Sequence, residues 1–328
     1  MKGIMRGGRG RLILILMVLL TALNLGRMGS QQTFDGPALL ATTKIIVIRP
    51  GSLPSVGRQL QNQGVIRHPD LFALAAWLTR NAGPVHAGEF SIPAHSSFHQ
   101  ILNILRFAPV VQHQATIPEG LTGPQIAAII NELPEATGHV AAPAEGAVLP
   151  QTYDYARNTP RRAILARAEA AMTQLLAQAW AGRADNLPIS TQAQALTLAS
   201  IVQQETPLAA ELPKIAAVYE NRLKQNMKLQ ADPTVVFAAS GGGTALAGGI
   251  TRADLALNSP YNTYLHHGLP PGPICAPGAL AIEAVLHPAV SDDLYFVATG
   301  QGGHVFAANF AEQLANIARF RASQTGRP

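Results

Sequence analysis

The chain has 328 residues, 48% of them hydrophobic and 13% charged, which allows two domains with real cores and excludes a disordered chain. Its formal net charge of +5 sits at one end: Lys2, Arg6, Arg9, Arg11 and Arg27 all precede the first acidic residue, Asp35. The remaining 19 basic residues balance 19 acidic ones, so the body carries no basic footprint for nucleic acid, and a single cysteine, Cys275, excludes an internal disulfide.

Those five basic residues flank an apolar run, LILILMVLLTALNLG, at residues 12–26. A charged segment before such a run reads as a signal peptide or a membrane anchor. The run is shorter than the ~20 residues of a comfortable span, but no A-x-A-like cleavage site follows it, which favours the anchor. The expectation is a cytoplasmic tail at residues 1–11, a single transmembrane helix at 12–29 and a polar spacer at 30–41. The positive-inside rule then places the rest of the chain outside the cytoplasm. Beyond the spacer, KIIVI at 44–48 and residues 88–92 read as strands, and residues 55–63, 68–81 and 96–105 as helices. Together they predict a small α+β module at residues 42–112. In its second helix Leu71, Phe72, Ala75 and Leu78 recur at helical spacing, and its aromatic members read as core.

Residues 113–328 read as a larger, mixed α+β domain. A strand, a turn at Pro118-Glu119-Gly120 and a helix occupy residues 114–133, and a long alanine-rich helix follows at 159–182. Residues 191–232 predict two helices separated by Pro207. Thr191 and Gln194 have the spacing of a capping box. Leu198, Ile201 and Val202 share one face, and Glu205 lies seven, four and three residues beyond them on that same stripe. A carboxyl on an apolar face at a helix end can become a general acid, because desolvation raises its pKa. Geometry alone leaves equally open an ordinary carboxylate in a fraying last turn. Glu211 and Pro213 suit the start of the second helix, Ile215, Tyr219 and Leu223 its buried stripe, and Glu220 a surface pair with Lys224. Residues 240–249 form a glycine-rich loop without a phosphate-binding pattern, and 261–278 a rigid Pro/Gly loop. A helix at 279–286, strands at 294–298 and 304–307 and a helix at 310–320 complete the chain.

Ordinary glycosidases need two carboxylates flanking the bond. Here Glu211 fits helix-end electrostatics, Glu220 a surface pair, and Asp232, ahead of Pro233, a turn that could also hydrogen-bond substrate. One acid suffices when the attacking oxygen belongs to the substrate itself. A metal hydrolase would draw on His266, His267, His287 and His304 with Asp232, but these lack ligand spacing, and no G-x-S-x-G elbow marks a serine nucleophile.

Ten strings occur in order: TIPEGLT (116–122), LPQTYDY (149–155), ASIVQQET (199–206), VYENRL (218–223), LQADPTV (229–235), YNTY (261–264), GLPPGPI (268–274), HP (287–288), LYFVA (294–298) and GGHVF (302–306). This ordered set resembles the YceG-like family of endolytic murein transglycosylases. The resemblance implies a bacterial inner-membrane protein with one N-terminal anchor, a LysM-like module and a periplasmic catalytic domain. It implies cleavage of nascent peptidoglycan between N-acetylmuramic acid and N-acetylglucosamine, leaving a 1,6-anhydro end. No cofactor or metal is implied; the partners implied are glycan strands and peptidoglycan synthases. The family's catalytic Glu maps onto Glu205, while Asn221, Arg222, Gln230, Asp232, Tyr261, Asn262 and Tyr264 match further motif positions that would shape the cleft. Where many relatives carry a second acid, this chain has Gln203 and Gln204, and Cys275 replaces a residue usually small or polar. The alternative is a non-catalytic, membrane-anchored scaffold that only binds peptidoglycan.

Overall fold

The computed structural model describes residues 16–21 and 39–325. Contacts divide the chain into two compact units, Met1–His113 and Gln114–Pro328. Of the expected anchor, only residues 16–21 are described, and they are helical; the rest of it, the basic tail and most of the spacer lie outside the described residues. Among the described residues no helix is long and apolar enough to cross a membrane.

The first unit is a β-α-α-β-α arrangement. Strand β1 (Lys44–Ile48) pairs antiparallel with β2 (Gly88–Ile92), Lys44 opposite Ile92 and Ile48 opposite Gly88. The period of two turns Ile46, Ile48, Phe90 and Ile92 inward, where they are buried. Helices α1 (Leu53–Asn62) and α2 (Pro69–Leu78) each carry a proline in the first turn, where its missing N–H costs nothing. Helix α3 (Phe98–Phe107) opens on a full capping box: Ser97 Oγ accepts from the Gln100 N–H and Gln100 Oε1 accepts from the Ser97 N–H. Val56, Leu60, Phe72, Ile101, Leu102 and Leu105 fill the space between helices and sheet. Within α2 the sequence expectation fails in part. Phe72 is buried, but Leu71, Leu78 and the aromatic Trp77 are exposed, because Asp70 is the one charged residue of α2 and apolar periodicity alone cannot choose its inner face.

Strand β3 (Gln112–Thr116), whose last three residues open the second unit, pairs with β4 (Thr152–Ala156). Strand β4 was not foreseen; its Tyr153 and Tyr155 alternate inward beneath α4 (Gly123–Glu132) and the long α5 (Arg161–Ala181). A larger core joins α6 (Gln192–Glu205), α7 (Leu212–Lys224) and, after two short helices, α10 (Ala279–Leu286). The two short helices, α8 (Asp232–Ala239) and α9 (Arg252–Leu255), were also not foreseen. Asp232 is therefore the first residue of a helix and not a turn residue, with Pro233 in the helical first turn that tolerates it. A hairpin of β5 (Tyr295–Ala298) and β6 (His304–Ala307) pairs Tyr295 with Ala307 and Ala298 with His304. Helix α11 (Phe310–Thr325) follows it.

Close packing of the first unit depends on Gly57 in α1, where an added Cβ would fall 2.5 Å from the Pro69 carbonyl oxygen at the start of α2. Backbone, not a flexible side chain, stands in the way. Gly57→Ala is expected to destabilise this unit by about 1–3 kcal/mol. Hydrogen exchange checks it: amides of β1 and α1 should exchange faster while those of α6 and α7 keep their wild-type rates.

Candidate active site

Helix α6 begins where Thr191 Oγ1 accepts from the Gln194 N–H at 3.2 Å. The capping box is only half formed, since Gln194 Oε1 turns to the Ser190 N–H instead, at 2.7 Å. Leu198, Ile201 and Val202 are fully buried. The helix ends at Glu205, and Thr206 is already extended ahead of Pro207. Glu205 is partly buried at the end of this apolar stripe.

Five neighbours close a ring around that helix end. Tyr219 of α7 donates its hydroxyl to Glu205 Oε1. The buried Tyr219 ring meets Phe296 of β5 edge-on, centroids 5.9 Å apart, and Phe296 meets His304 of β6 edge-on at 5.3 Å. The His304 backbone N–H and its Nδ1 each lie 2.8 Å from the Glu211 carboxylate. Glu211 in turn accepts from the Thr206 hydroxyl at 3.2 Å, which returns the ring to the residue after Glu205. Glu211 thus stands at the start of α7, as its position suggested, but its side chain does not cap that helix and serves instead as a clamp. Partial desolvation pushes its pKa up, yet the bonds from His304 and Thr206 outweigh that and hold it below the usual carboxylate range. An ionised Glu211 requires the imidazole proton on Nδ1. Gly303 has φ +82°, and a Cβ there would fall 2.6 Å from Glu211 Oε1, so the hairpin can reach the clamp only with glycine at this point.

Two glutamines and a serine brace α6 from its other sides. Gln204 Nε2 donates to the Gly120 carbonyl at 2.6 Å, and Gln203 Oε1 accepts from the Gly278 N–H at 2.8 Å. Ser200 Oγ accepts from the Ile274 N–H at 3.0 Å, and the Cys275 thiol donates to the Ser200 carbonyl at 3.3 Å. Cys275 is fully buried and its thiol is pushed up to about 12 by that burial, so it stays a protonated packing group.

Glu205 and Asp232 line one cleft together with Gln204, Pro233, Val236, Phe237, Gly243, Thr244 and Ile274. Burial raises the Glu205 pKa to about 7. The Asp232 charge adds to that rise, while the Tyr219 hydrogen bond and the Arg222 charge oppose it. Asp232 accepts from the Tyr264 hydroxyl at 2.5 Å, and Tyr261 packs against the cleft residue Phe237 with centroids 4.9 Å apart. The structure therefore brings Glu205, Asp232, Tyr264 and Tyr261 to one place. Gln230 is exposed just before α8, in a left-handed conformation at φ +48°. The other three positions are engaged by backbone. Asn221 donates to the carbonyls of Ser291 (2.8 Å) and Asp293 (3.0 Å), and Arg222 to those of Leu294 (2.6 Å) and Leu229 (2.8 Å). Asn262, fully buried, donates to Leu255 (3.0 Å) and Leu257 (2.9 Å).

Sequence reasoning missed four participants. Spacing assigns Tyr219 only to the core, but a buried tyrosine hydroxyl needs a partner, and that need is the available signal. The sequence suggests His304 only as a metal ligand. Gly243 and Thr244 border the cleft from the loop read as merely flexible. Two of the other histidines weighed as ligands have separate surroundings, His267 Nδ1 lying 2.9 Å from the Asn226 carbonyl and His287 Nε2 3.6 Å from Glu283. Among the described residues no group of three or more His, Cys, Asp or Glu side chains could hold a metal ion.

The sequence model of the YceG-like family matches residues 46–319. An endolytic murein transglycosylase of Bacillus subtilis (strain 168) is 36% identical over 176 residues, 53% of this chain and 47% of that protein. One from Streptococcus pneumoniae serotype 2 is 27% identical over 307 residues, covering 80% of this chain and 55% of its own length. This chain thus spans about half the length of the curated relatives it matches. The crystal structure of a YceG-like protein from Listeria monocytogenes aligns with a TM-score of 0.51 at 25% identity, over 83% of this chain and 98% of that one.

Glu220 departs most sharply from expectation. It is not a surface partner of Lys224: it is 1% exposed, and neither carboxyl oxygen has a hydrogen-bond partner among the described residues. Desolvation raises its pKa to about 7 against the opposing Lys224 charge. Below the unfolded value both states are protonated; above it the unfolded chain releases a proton that the native state retains. Stability should therefore fall as pH rises from the ordinary carboxylate range through about 7, and Glu205 acts in the same direction. Glu220→Gln should shrink the stability difference between about pH 5 and about pH 8 by up to about 3 kcal/mol. Denaturant titrations at the two pH values measure this, and an unchanged difference would show that Glu220 ionises normally.

Proposed function

The chain belongs to the YceG-like family, and from that membership we propose that it is an endolytic lytic transglycosylase of peptidoglycan with Glu205 as its only catalytic acid and base. The observation that carries this reading is a carboxyl at the end of an apolar helix, raised to about 7, open to a cleft and oriented by Tyr219. Such a group holds its proton near neutral pH and can also take one back.

In the proposed reaction protonated Glu205 gives its proton to the glycosidic oxygen as the bond from muramyl C1 to that oxygen breaks. N-acetylglucosamine leaves with a new hydroxyl. The ionised carboxylate then takes the proton from the muramyl C6 hydroxyl as its oxygen closes onto C1. One bond breaks, one forms, Glu205 ends as it began, and no water enters. Asp232, which accepts from the Tyr264 hydroxyl, is proposed to receive a sugar hydroxyl or to support the positive charge developing at C1. Gln230 and Tyr261 are proposed to contact the strand farther along the cleft, and Asn221, Arg222 and Asn262 to hold the surrounding backbone. Residues 12–29 are proposed as an inner-membrane anchor and 42–112 as a LysM-like module, with peptidoglycan synthases as partners that supply nascent strands.

Because Asp232 shares the cleft, hydrolysis by a carboxylate pair is the rival chemistry. Mass spectrometry of products from uncrosslinked glycan strands separates the two, since anhydro ends are one water lighter than hydrolysed ends. Glu205→Gln should lose roughly 10²–10⁴-fold in turnover. Anhydro ends at the wild-type rate from this variant would place the acid elsewhere, and an inactive wild type would favour a non-catalytic scaffold. The reactive form at the start of the cycle is the protonated one, so the wild-type rate should fall as pH rises through about 7. Tyr219→Phe removes a bond that favours the ionised carboxylate, so the same fall should move to higher pH. An unmoved profile would detach Tyr219 from the titration of Glu205.

A further inference from the structure

Helix α2 buries Phe72, Ala73 and Ala76 and leaves the opposite side of the same apolar helix uncovered. At 100° per residue, Leu71, Leu74, Trp77 and Leu78 fall within an arc of about 120° away from the buried face, an arc that also takes in one exposed acid, Asp70. Arg106 near the end of α3 donates to the Ala76 carbonyl at 3.1 Å and to the Thr79 hydroxyl at 3.0 Å, which brings Phe107 beside the end of α2. Leu71, Leu74, Trp77, Leu78 and Phe107 are 46%, 51%, 52%, 62% and 64% exposed. Each is far more open than a core residue, and five together form a patch, not scattered surface apolars.

Three further observations indicate what covers it. Arg67 precedes α2 and Arg80 follows it, both exposed, and the Arg80 guanidinium lies 4.7 Å from the centre of the Trp77 ring. Apolar side chains flanked by tryptophan and arginine suit the boundary between acyl chains and headgroups. Charge is divided between the units: residues 39–113 hold six basic and two acidic side chains, whereas residues 114–328 hold 13 basic and 16 acidic ones. The positive unit is the one that adjoins the apolar run at residues 12–26, and even a fully extended stretch from 27 to 43 reaches only about 60 Å. A positively charged unit tethered there meets anionic headgroups within its reach.

We propose that the exposed face of α2, with Phe107, docks on the anionic surface of the bilayer and lays the first unit along the membrane. The tether requires residues 12–29 to be an anchor; the face and its charge do not, and neither depends on the catalytic role proposed for Glu205.

The chain has two tryptophans, so Trp180→Phe leaves Trp77 as the only one. The full-length Trp180→Phe protein is reconstituted into phosphatidylcholine–phosphatidylglycerol bilayers with and without brominated acyl chains. Trp77 emission should shift to the blue, lose most of its intensity to the brominated chains and resist aqueous acrylamide. Adding Leu71→Glu and Leu74→Glu, both on the exposed face, should reverse all three readings with an unchanged circular dichroism spectrum; if that variant does not fold, the parent readings decide alone. Trp77 open to acrylamide and untouched by bromine overturns the proposal. Shielding from both quenchers overturns it in favour of a protein surface, a second copy included, and shielding that appears only with added glycan strands overturns it in favour of a glycan site. Extraction by alkaline carbonate reports separately on the anchor: release of the chain contradicts the anchor and leaves the Trp77 result to judge the docking.

Discussion

A carboxyl at the end of a buried helix is stable only if something receives it, and here that receiver is the Tyr219 hydroxyl. The bond constrains two helices at once, because Glu205 ends α6 and Tyr219 lies in the middle of α7. Burial pushes the carboxyl toward its neutral form while the tyrosine keeps its ionised form within reach. A group poised in this way can give and take a proton near neutral pH, which neither a solvent-exposed glutamate nor an unpartnered buried one does well. Glu220, one residue beyond Tyr219, shows the contrast: its desolvation is similar in effect, but among the described residues neither of its carboxyl oxygens meets a donor, so its raised pKa is a cost to the fold.

The ring through Phe296, His304, Glu211 and Thr206 explains why segments remote in sequence belong to one site. Strands β5 and β6 offer the cleft no acid of their own, yet they fix the Tyr219 ring and the chain just after Glu205. Gln203 and Gln204 do the same from the opposite side by bonding the backbone near Gly278 and Gly120. An acid at 204 would set a carboxylate against the Gly120 carbonyl with no proton to share, and one at 203 would add a charge at a partly buried position.

Much of this was legible in the sequence, and the limits have physical causes. Apolar spacing located α6, and Pro207 its end, because helix termination is a local matter of backbone sterics. The same spacing could not say that Glu220 is buried, since a separation of four residues reports a shared face and not whether that face meets solvent. It could not choose the inner side of α2, where Asp70 is the only charged residue. Strand β4 is short and half polar, and Asp232-Pro233 resembles a turn until the rest of α8 is seen to follow it. The clamp from Glu211 to His304 joins residues 93 positions apart, and no local pattern encodes such a pair.

The central claim is that the Glu205 carboxyl is largely protonated just below neutral pH. Carbon-13 NMR of the protein labelled at the glutamate side-chain carboxyl carbon, with Glu205→Gln to identify the resonance, measures this without substrate. A titration midpoint near 7 is predicted. A midpoint in the ordinary glutamate range, about 4.3, would contradict it.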